Sequence, residues 1–249
     1  MTFTYQKSLE MFKRASKVIP TGIYGHLGPA EGCFIPSNAY PFFSERAKGA
    51  YFWDVDGNKF IDYMCAYEDV DAAALKQAAL GNCVTSPSSK MVELAELMVD
   101  TVAMADWAFF AKNGGDVTSL AVMVARAATG RKKVILIKGG YHGVAPWTQK
   151  LGYPAITEED VANNIYVDWN RYDQVEKIVK ENPGEIACFM ATPYHHPVFE
   201  DNELPKDDYW QKIRKLCTDN GIVLAIDDVR CGFRLDIEGS DHYFANNHP

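Results

Sequence analysis

One arrangement in the second half of the chain limits the fold more than any other: short apolar runs and helix-patterned runs take turns. "KKVILIKGGYHG" is a strand pattern that stops at a Gly-Gly turn, and "YDQVEKIVKENPG" has helical spacing with Pro and Gly behind it. "IACFMATP" is a strand, "DDYWQKIRKLCTDNG" a helix and "IVLAIDDV" a strand again. Upstream, "KMVELAELMVDTV" has helical spacing and "WAFFAK" reads as a short strand. "NGGDVTSLAVMVARAATG" reads as a Gly-rich turn opening a helix that Gly130 closes. Strands alternating with helices imply βαβ units, hence an α/β fold with a mostly parallel sheet flanked by helices.

The first part of the chain has a different texture. Residues 5–18 pattern as an amphipathic helix with Leu9, Phe12 and Ala15 or Ser16 on one side, ended by Pro20 and Gly22. The Pro/Gly-rich stretch 20–41 reads as a covering loop, and residues 50–64 alternate on both sides of Asp56-Gly57, a hairpin signal. The expected division is therefore 1–85, an N-terminal helix, loop and hairpin segment of a small α+β domain, and 86–249, a large α/β domain. With 249 residues, 47% of them hydrophobic, a sizeable core is available. The net charge of −8 argues against a nucleic-acid partner. No apolar leader and no run of about 18 apolar residues occurs, so no membrane partner is expected. The six cysteines show no metal-ligand spacing. They read as reduced buried thiols of a cytoplasmic protein, and no metal site is expected.

Ligands of open α/β sheets bind at the carboxyl ends of the strands. Four segments reach that edge: "AKNGGD", "KGGYHG", "ATPYHHP" and "IDDVRCG". "NGGDVTSL" places two glycines before a helix start, where close backbone approach and free N–H groups favour an anion such as phosphate. Tyr141 offers a flat face to a ring, with His142 beside it. Tyr194, His195 and His196 follow another strand and suit hydrogen bonding better than metal binding.

The chemistry turns on two acids, Asp227 and Asp228, at the end of an apolar strand. A buried carboxylate needs compensation. If the ligand is an aromatic, phosphorylated molecule with a basic ring nitrogen, an anionic Asp227 holds that nitrogen protonated and offsets its own burial. Such a ring is an electron sink, the device of pyridoxal-phosphate sites. Asp228 points to the other side of the strand. It needs a different partner, for which Arg230 and Arg234 are the candidates, and its replacement is expected to affect mainly stability.

The order of these loops resembles the class III aminotransferases of fold type I, most closely their glutamate-1-semialdehyde aminomutase-like branch. "NGGDVTSLAVMVARAATGRKKVILIKGGYHG" is similar to that family's N-S-G-T-E-A…A-R-x-x-T-G-R-x-K…Y-H-G segment, and "LAIDDVRCGFR" to its F-D-E-V-x-T-G-F-R. "RAKGAYFWDVDGNKFIDY" belongs to the same similarity, which covers nearly the whole chain. The resemblance implies pyridoxal 5'-phosphate as cofactor, a homodimer, and a small-molecule amino donor with a carbonyl acceptor. It implies that Gly115 and Asp116 offer N–H groups to the cofactor phosphate, and that Tyr141 stacks on the ring with His142 next to it. It further implies that Asp227 pairs with the ring nitrogen, that Val229 presses on the opposite ring face, and that His195 bonds the phenolic oxygen. Tyr24, His26 and Tyr67 are placed at the substrate pocket by their position in loops.

The sequence departs from that family in four places. No lysine follows Lys215, although the family's Schiff-base lysine lies downstream of the Asp227 motif, so the chain reads as a fragment ending before it. "CAYEDVDAAALKQ" is shorter than in the family around Glu68 and Asp69. Asp116 replaces a neutral hydroxyl residue at the phosphate turn, an arrangement that requires its side chain to turn away and cap the helix. Thr192-Pro193 stands where the family has Glu-Pro. The function these features imply is transfer of an amino group from an amino compound to a keto or aldehyde acceptor. The alternatives are an amino shift or racemisation on the same scaffold, a lysine-free relative without catalysis, and metal-dependent phosphoryl chemistry using the Asp pair.

Overall fold

The computed structural model describes residues 3–19, 43–63, 68–81, 86–197 and 201–247. The stretch 20–41 and the residues Tyr24, His26, Cys33, Cys65, Tyr67 and Cys83 lie outside the described residues. The chain separates into two compact units, Met1–Pro87 and Ser88–Pro249.

The first unit holds α1 (Gln6–Ala15), strands β1 (Ser44–Lys48), β2 (Tyr51–Asp54) and β3 (Lys59–Ile61), and α2 (Glu68–Leu80). The strands form an antiparallel sheet in sequence order, and the β2–β3 hairpin turns at the expected Asp56-Gly57 with Gly57 at φ +88°. Alternation gives the sheet two aromatic faces. Phe60 stacks between Phe3 and Phe52 on one, while on the other Arg46 lies over Trp53 and Lys59 over Tyr51.

The hairpin turn also caps α1, which has no capping side chain of its own. Both oxygens of Asp56 accept from the helix start, at 2.8 Å from the Lys7 N–H and 2.8 Å from the Ser8 N–H. An anion thereby meets the positive end of the helix. This contact sets the roll of α1, which buries Ser8 and Ala15 and turns Leu9 to solvent, contrary to the expected Leu9 face. The helix is also shorter than the anticipated 5–18.

The second unit contains α3 (Ser89–Thr101), α4 (Gly114–Thr129), β4 (Lys133–Ile137), α5 (Glu158–Val161), β5 (Asn164–Val167), α6 (Tyr172–Glu181), β6 (Ile186–Ala191), α7 (Tyr209–Asn220), β7 (Val223–Ile226) and α8 (Ser240–Asn247). The four strands form a parallel sheet in the order β5-β4-β6-β7. Apolar side chains on both faces bury the central strands β4 and β6. On one face Ile135, Ile137, Phe189 and Ala191 pack with Val175 and Val179 of α6 and Ile213 and Cys217 of α7. On the other, Val134, Leu136, Cys188 and Met190 pack with Val122 and Ala125 of α4.

One expectation is corrected here, and one strand was not anticipated. "WAFFAK" is not a strand: no described strand lies beside it to accept its backbone, and Trp107 and Phe109 are exposed. The edge strand β5 has only four residues, too few to show a pattern between Asn163 and Asp168. Cys188, Cys217 and Cys231 are free and buried. Burial pushes the Cys188 thiol up to about 12 and the Cys217 thiol to about 11. Among the described residues no helix is long and apolar enough to cross a membrane.

Candidate functional site at the carboxyl edge of the parallel sheet

The site begins with the start of α4. Asn113 is its N-cap: its Oδ1 accepts from the Asp116 N–H at 3.0 Å, while its Nδ2 donates to Asp116 Oδ2 at 2.9 Å. The two side chains close a reciprocal cap. The Asp116 carboxylate therefore turns back onto the cap, as a phosphate-accepting turn with an acid in it requires. The N–H groups of Gly114 and Gly115, the first two of the helix, have no acceptor among the described residues.

The loop after β4 is laid directly on this turn. Gly143 adopts φ +113°, and a Cβ there would stand 2.7 Å from the Gly115 Cα. Gly143 needs glycine because its backbone lies against the α4 backbone, whereas a Cβ on Gly115 would meet the Gly143 Cα at an ordinary 3.6 Å. Thr118, one turn into α4, donates its hydroxyl to the His142 carbonyl at 2.6 Å. The α4 start and the His142 backbone are thus one rigid piece. Tyr141, just before it, leaves its ring half-exposed at 47%.

Strand alternation then divides the two acids. Val223 and Ala225 pack on the α4 face of the sheet and Leu224 on the opposite face, so Asp227 continues the α4 side and Asp228 the other. Asp227 Oδ2 lies 2.8 Å from His142 Nδ1, and both side chains are deeply buried at 10% and 4% exposure. The Asp227 N–H donates to the Ala191 carbonyl, which extends the β6–β7 ladder by one bond. Among the described residues its Oδ1 has only a long 3.4 Å contact from the Val229 N–H, so acceptor capacity remains. Val229 is exposed at 66%.

Asp228 does not pair with Arg230 or Arg234, which are exposed. Ser240, fully buried at the start of α8, donates to it twice, from its N–H to Oδ2 at 3.1 Å and from its hydroxyl to Oδ1 at 2.5 Å. The strand turns its two acids to opposite faces, and the arginines remain in solvent. Burial raises the Asp228 pKa above the usual carboxylate value, and the two Ser240 hydrogen bonds oppose part of that rise.

The His195–His196 pair also splits. The His195 ring stacks on Trp169 at 5.9 Å, and a Cβ on Gly139 would meet its Cε1 at 3.4 Å. His196 packs edge-on against Tyr194. Its pKa is lowered first by burial and then by the positive charge of Arg230, while Asp227 acts in the opposite sense. Asn113, Thr118, Gly143 and Ser240 were not singled out from sequence. Only Asn113 carried a signal, the N-x-x-D cap spacing.

Fold and edge together define an α/β protein whose working groups gather where its parallel strands end. The sequence model described as aminotransferase class-III matches residues 35–248. The aminopentol aminotransferase of Sphingopyxis macrogoltabida is 42% identical over 241 residues, covering 93% of this chain and 56% of that protein. The glutamate-1-semialdehyde 2,1-aminomutase of Methanocaldococcus jannaschii is 35% identical over 264 residues, covering 98% of this chain and 60% of the relative. Among solved structures, the FumI protein of Sphingopyxis sp. MTA144 in its PLP internal aldimine form superposes with a TM-score of 0.84 at 41% identity. That match covers 92% of this chain and 56% of the FumI chain. The chain belongs to the class-III aminotransferase family. It spans somewhat over half the length of the relatives it matches.

Proposed function

We propose that the protein is a pyridoxal-phosphate-dependent aminotransferase, moving an amino group from an amino compound to a keto or aldehyde acceptor. The observation that carries this reading is the convergence of an open-ended helix start, a half-exposed tyrosine ring and a buried Asp227–His142 pair at one sheet edge.

The residues present fit the cofactor. Of the expected donors Gly115 and Asp116, the Asp116 N–H is already given to Asn113 Oδ1, so the groups open to a phosphate are the Gly114 and Gly115 N–H, with the Asp116 side chain turned into the cap. Tyr141 and Val229 are exposed apolar surfaces for the two faces of a ring. Asp227 retains an acceptor for a protonated ring nitrogen, and His142 holds the carboxylate in place from the side. His195 and the loop after β6 are assigned the phenolic oxygen. When bound, pyridoxal phosphate supplies an electron sink for the electron pair left as a proton departs the amino-bearing carbon. This chain's part is to bind the phosphate, clamp the ring, and keep a negative charge at the ring nitrogen.

We further place the protein in the cytoplasm, as the free buried cysteines support, and propose a homodimer. The exposed Met91, Val92, Leu94 and Leu97 of α3 support a partner surface. A second reading, intramolecular amino shift, is favoured by the aminomutase relatives. Incubation with pyridoxal phosphate, an amino donor and a 2-oxo acid separates the two. The expected result is stoichiometric cofactor uptake, seen by absorbance, and product that requires the 2-oxo acid. Product without an acceptor establishes the aminomutase instead, and no cofactor uptake overturns both.

A further inference from the structure

Asp228 is half-buried and unused by the chemistry described so far, and its surroundings are unusually constrained. Its carbonyl accepts from the Cys231 N–H at 3.1 Å and the Gly232 N–H at 2.9 Å. Its carboxylate takes both donors of Ser240, the first residue of α8. A Cβ on Gly232 would come within 3.1 Å of Asp228 Oδ2, so the turn is wrapped tightly around the carboxylate. One residue earlier, Asp227 meets His142. One residue later, the Val229 N–H reaches back to Asp227 Oδ1.

From this we infer that Asp228 and Ser240 form a latch that positions Asp227: by tying the end of β7 to the start of α8, they fix the direction in which the Asp227 carboxylate meets His142. Asp228 is a positioning residue, acting through its neighbour. Two adjacent residues on a strand end share backbone torsions, so releasing one side chain lets the peptide between them rotate. A shift of about 1 Å in the Asp227 carboxylate is enough to break a 2.8 Å hydrogen bond. The consequence for a ligand rests on reading the edge as the cofactor site. The consequence for His142 does not.

The test uses Asp228→Asn, Asp228→Ala and Ser240→Ala in the otherwise unaltered protein. Asn keeps an acceptor and gains a donor for the Ser240 hydroxyl, so it rescues the latch. Ser240→Ala removes one hydrogen bond with little change of volume and serves if Asp228→Ala does not fold. The first readout is the His142 ring-nitrogen NMR signals without added cofactor. They should move in Ser240→Ala and Asp228→Ala and stay in place in Asp228→Asn. The second is affinity for pyridoxal phosphate by absorbance titration, expected to weaken roughly tenfold in the two Ala variants, the scale of one lost hydrogen bond to a charged group. Variants that lower only the melting temperature, with His142 signals and cofactor affinity unchanged, would make the latch purely structural and overturn the inference. If the parent protein takes up no cofactor, the proposed function fails, yet the His142 signals still decide the latch.

Discussion

Asp227 and His142 are 85 residues apart in sequence, and each compensates the other's burial. An unpaired carboxylate or imidazole at this depth loses its water without replacement. Among the described residues, Asp227→Ala leaves His142 with no partner at either ring nitrogen, because Nε2 is already buried and unbonded. We expect that variant to lose about 1–3 kcal/mol in urea unfolding and all cofactor-dependent turnover. In Asp227→Ala/His142→Ala the two stability losses should fall short of their sum, because both single changes break the same bond. Additive losses would mean that the pair contributes no coupling, and retained turnover would remove Asp227 from the cofactor. The sequence placed both residues at the sheet edge but assigned each to the ligand. Their mutual bond was illegible because nothing in local pattern records which side chains two distant loops bring within 3 Å. Asp228 shows the same limit. Alternation told which side it faces, but its partner is Ser240, twelve residues downstream, whereas the nearby arginines offered the simpler guess.

At the scale of elements, those with chemical punctuation were legible. Helix α4 opens at Asn113, closes at Gly130 in the left-handed conformation, and matches its sequence reading at both ends. Helices α6 and α7 and strands β4, β6 and β7 follow from periodicity in the same way. Those that depend on a neighbour were not legible: "WAFFAK" has the pattern of a strand without a partner, and β5 has the partner without the pattern. The contact between α4 and the loop after β4 was equally hidden, since Gly115 and Gly143 carry no side chain to announce it. It yields a graded prediction. Asn113→Ala should cost about 1 kcal/mol, the value of a helix cap. Gly143→Ala should cost more, about 2–3 kcal/mol, because strain at φ +113° adds to a backbone clash at 2.7 Å. Denaturant midpoints at constant slope check both. Equal costs would mean the loop is free to move off α4.

For the whole molecule, the charge arrangement sets a stability profile with pH. Asp168 is held below its usual value by Lys138 and Gln174, Asp173 by Arg171, Glu176 by Lys180 and Asp236 by the Glu238 N–H. At Asp56 burial works upward, but the Lys7 and Ser8 hydrogen bonds outweigh it. Each of these depressed groups contributes stability above its unfolded value, 3.8 for Asp and 4.5 for Glu, and loses it as pH falls through the lower folded value. His242, raised by Asp236, has the opposite sense: its contribution is complete below 6.5 and disappears as pH rises through the folded value. Asp228, raised by burial, binds its proton more readily when folded, so its contribution grows as pH falls toward 3.8. His196, lowered by burial, takes its proton more readily when unfolded and so costs stability as pH falls below 6.5. The sum is a stability maximum between about pH 5 and 7, with losses on both sides. Because all of these groups except Asp228 and His196 are solvent-facing, added salt should shrink both flanks. The Asp228 carboxylate is half-buried and held by Ser240, so its contribution should be less sensitive to salt than theirs, and Asp228→Asn should remove a gain in stability that builds as pH falls toward 3.8. Urea midpoints from pH 2 to 8 at two salt concentrations measure this directly. A flat profile would show the exposed pairs to be energetically silent, and an Asp228→Asn effect that vanishes in salt would show that the half-buried carboxylate is screened like the exposed ones.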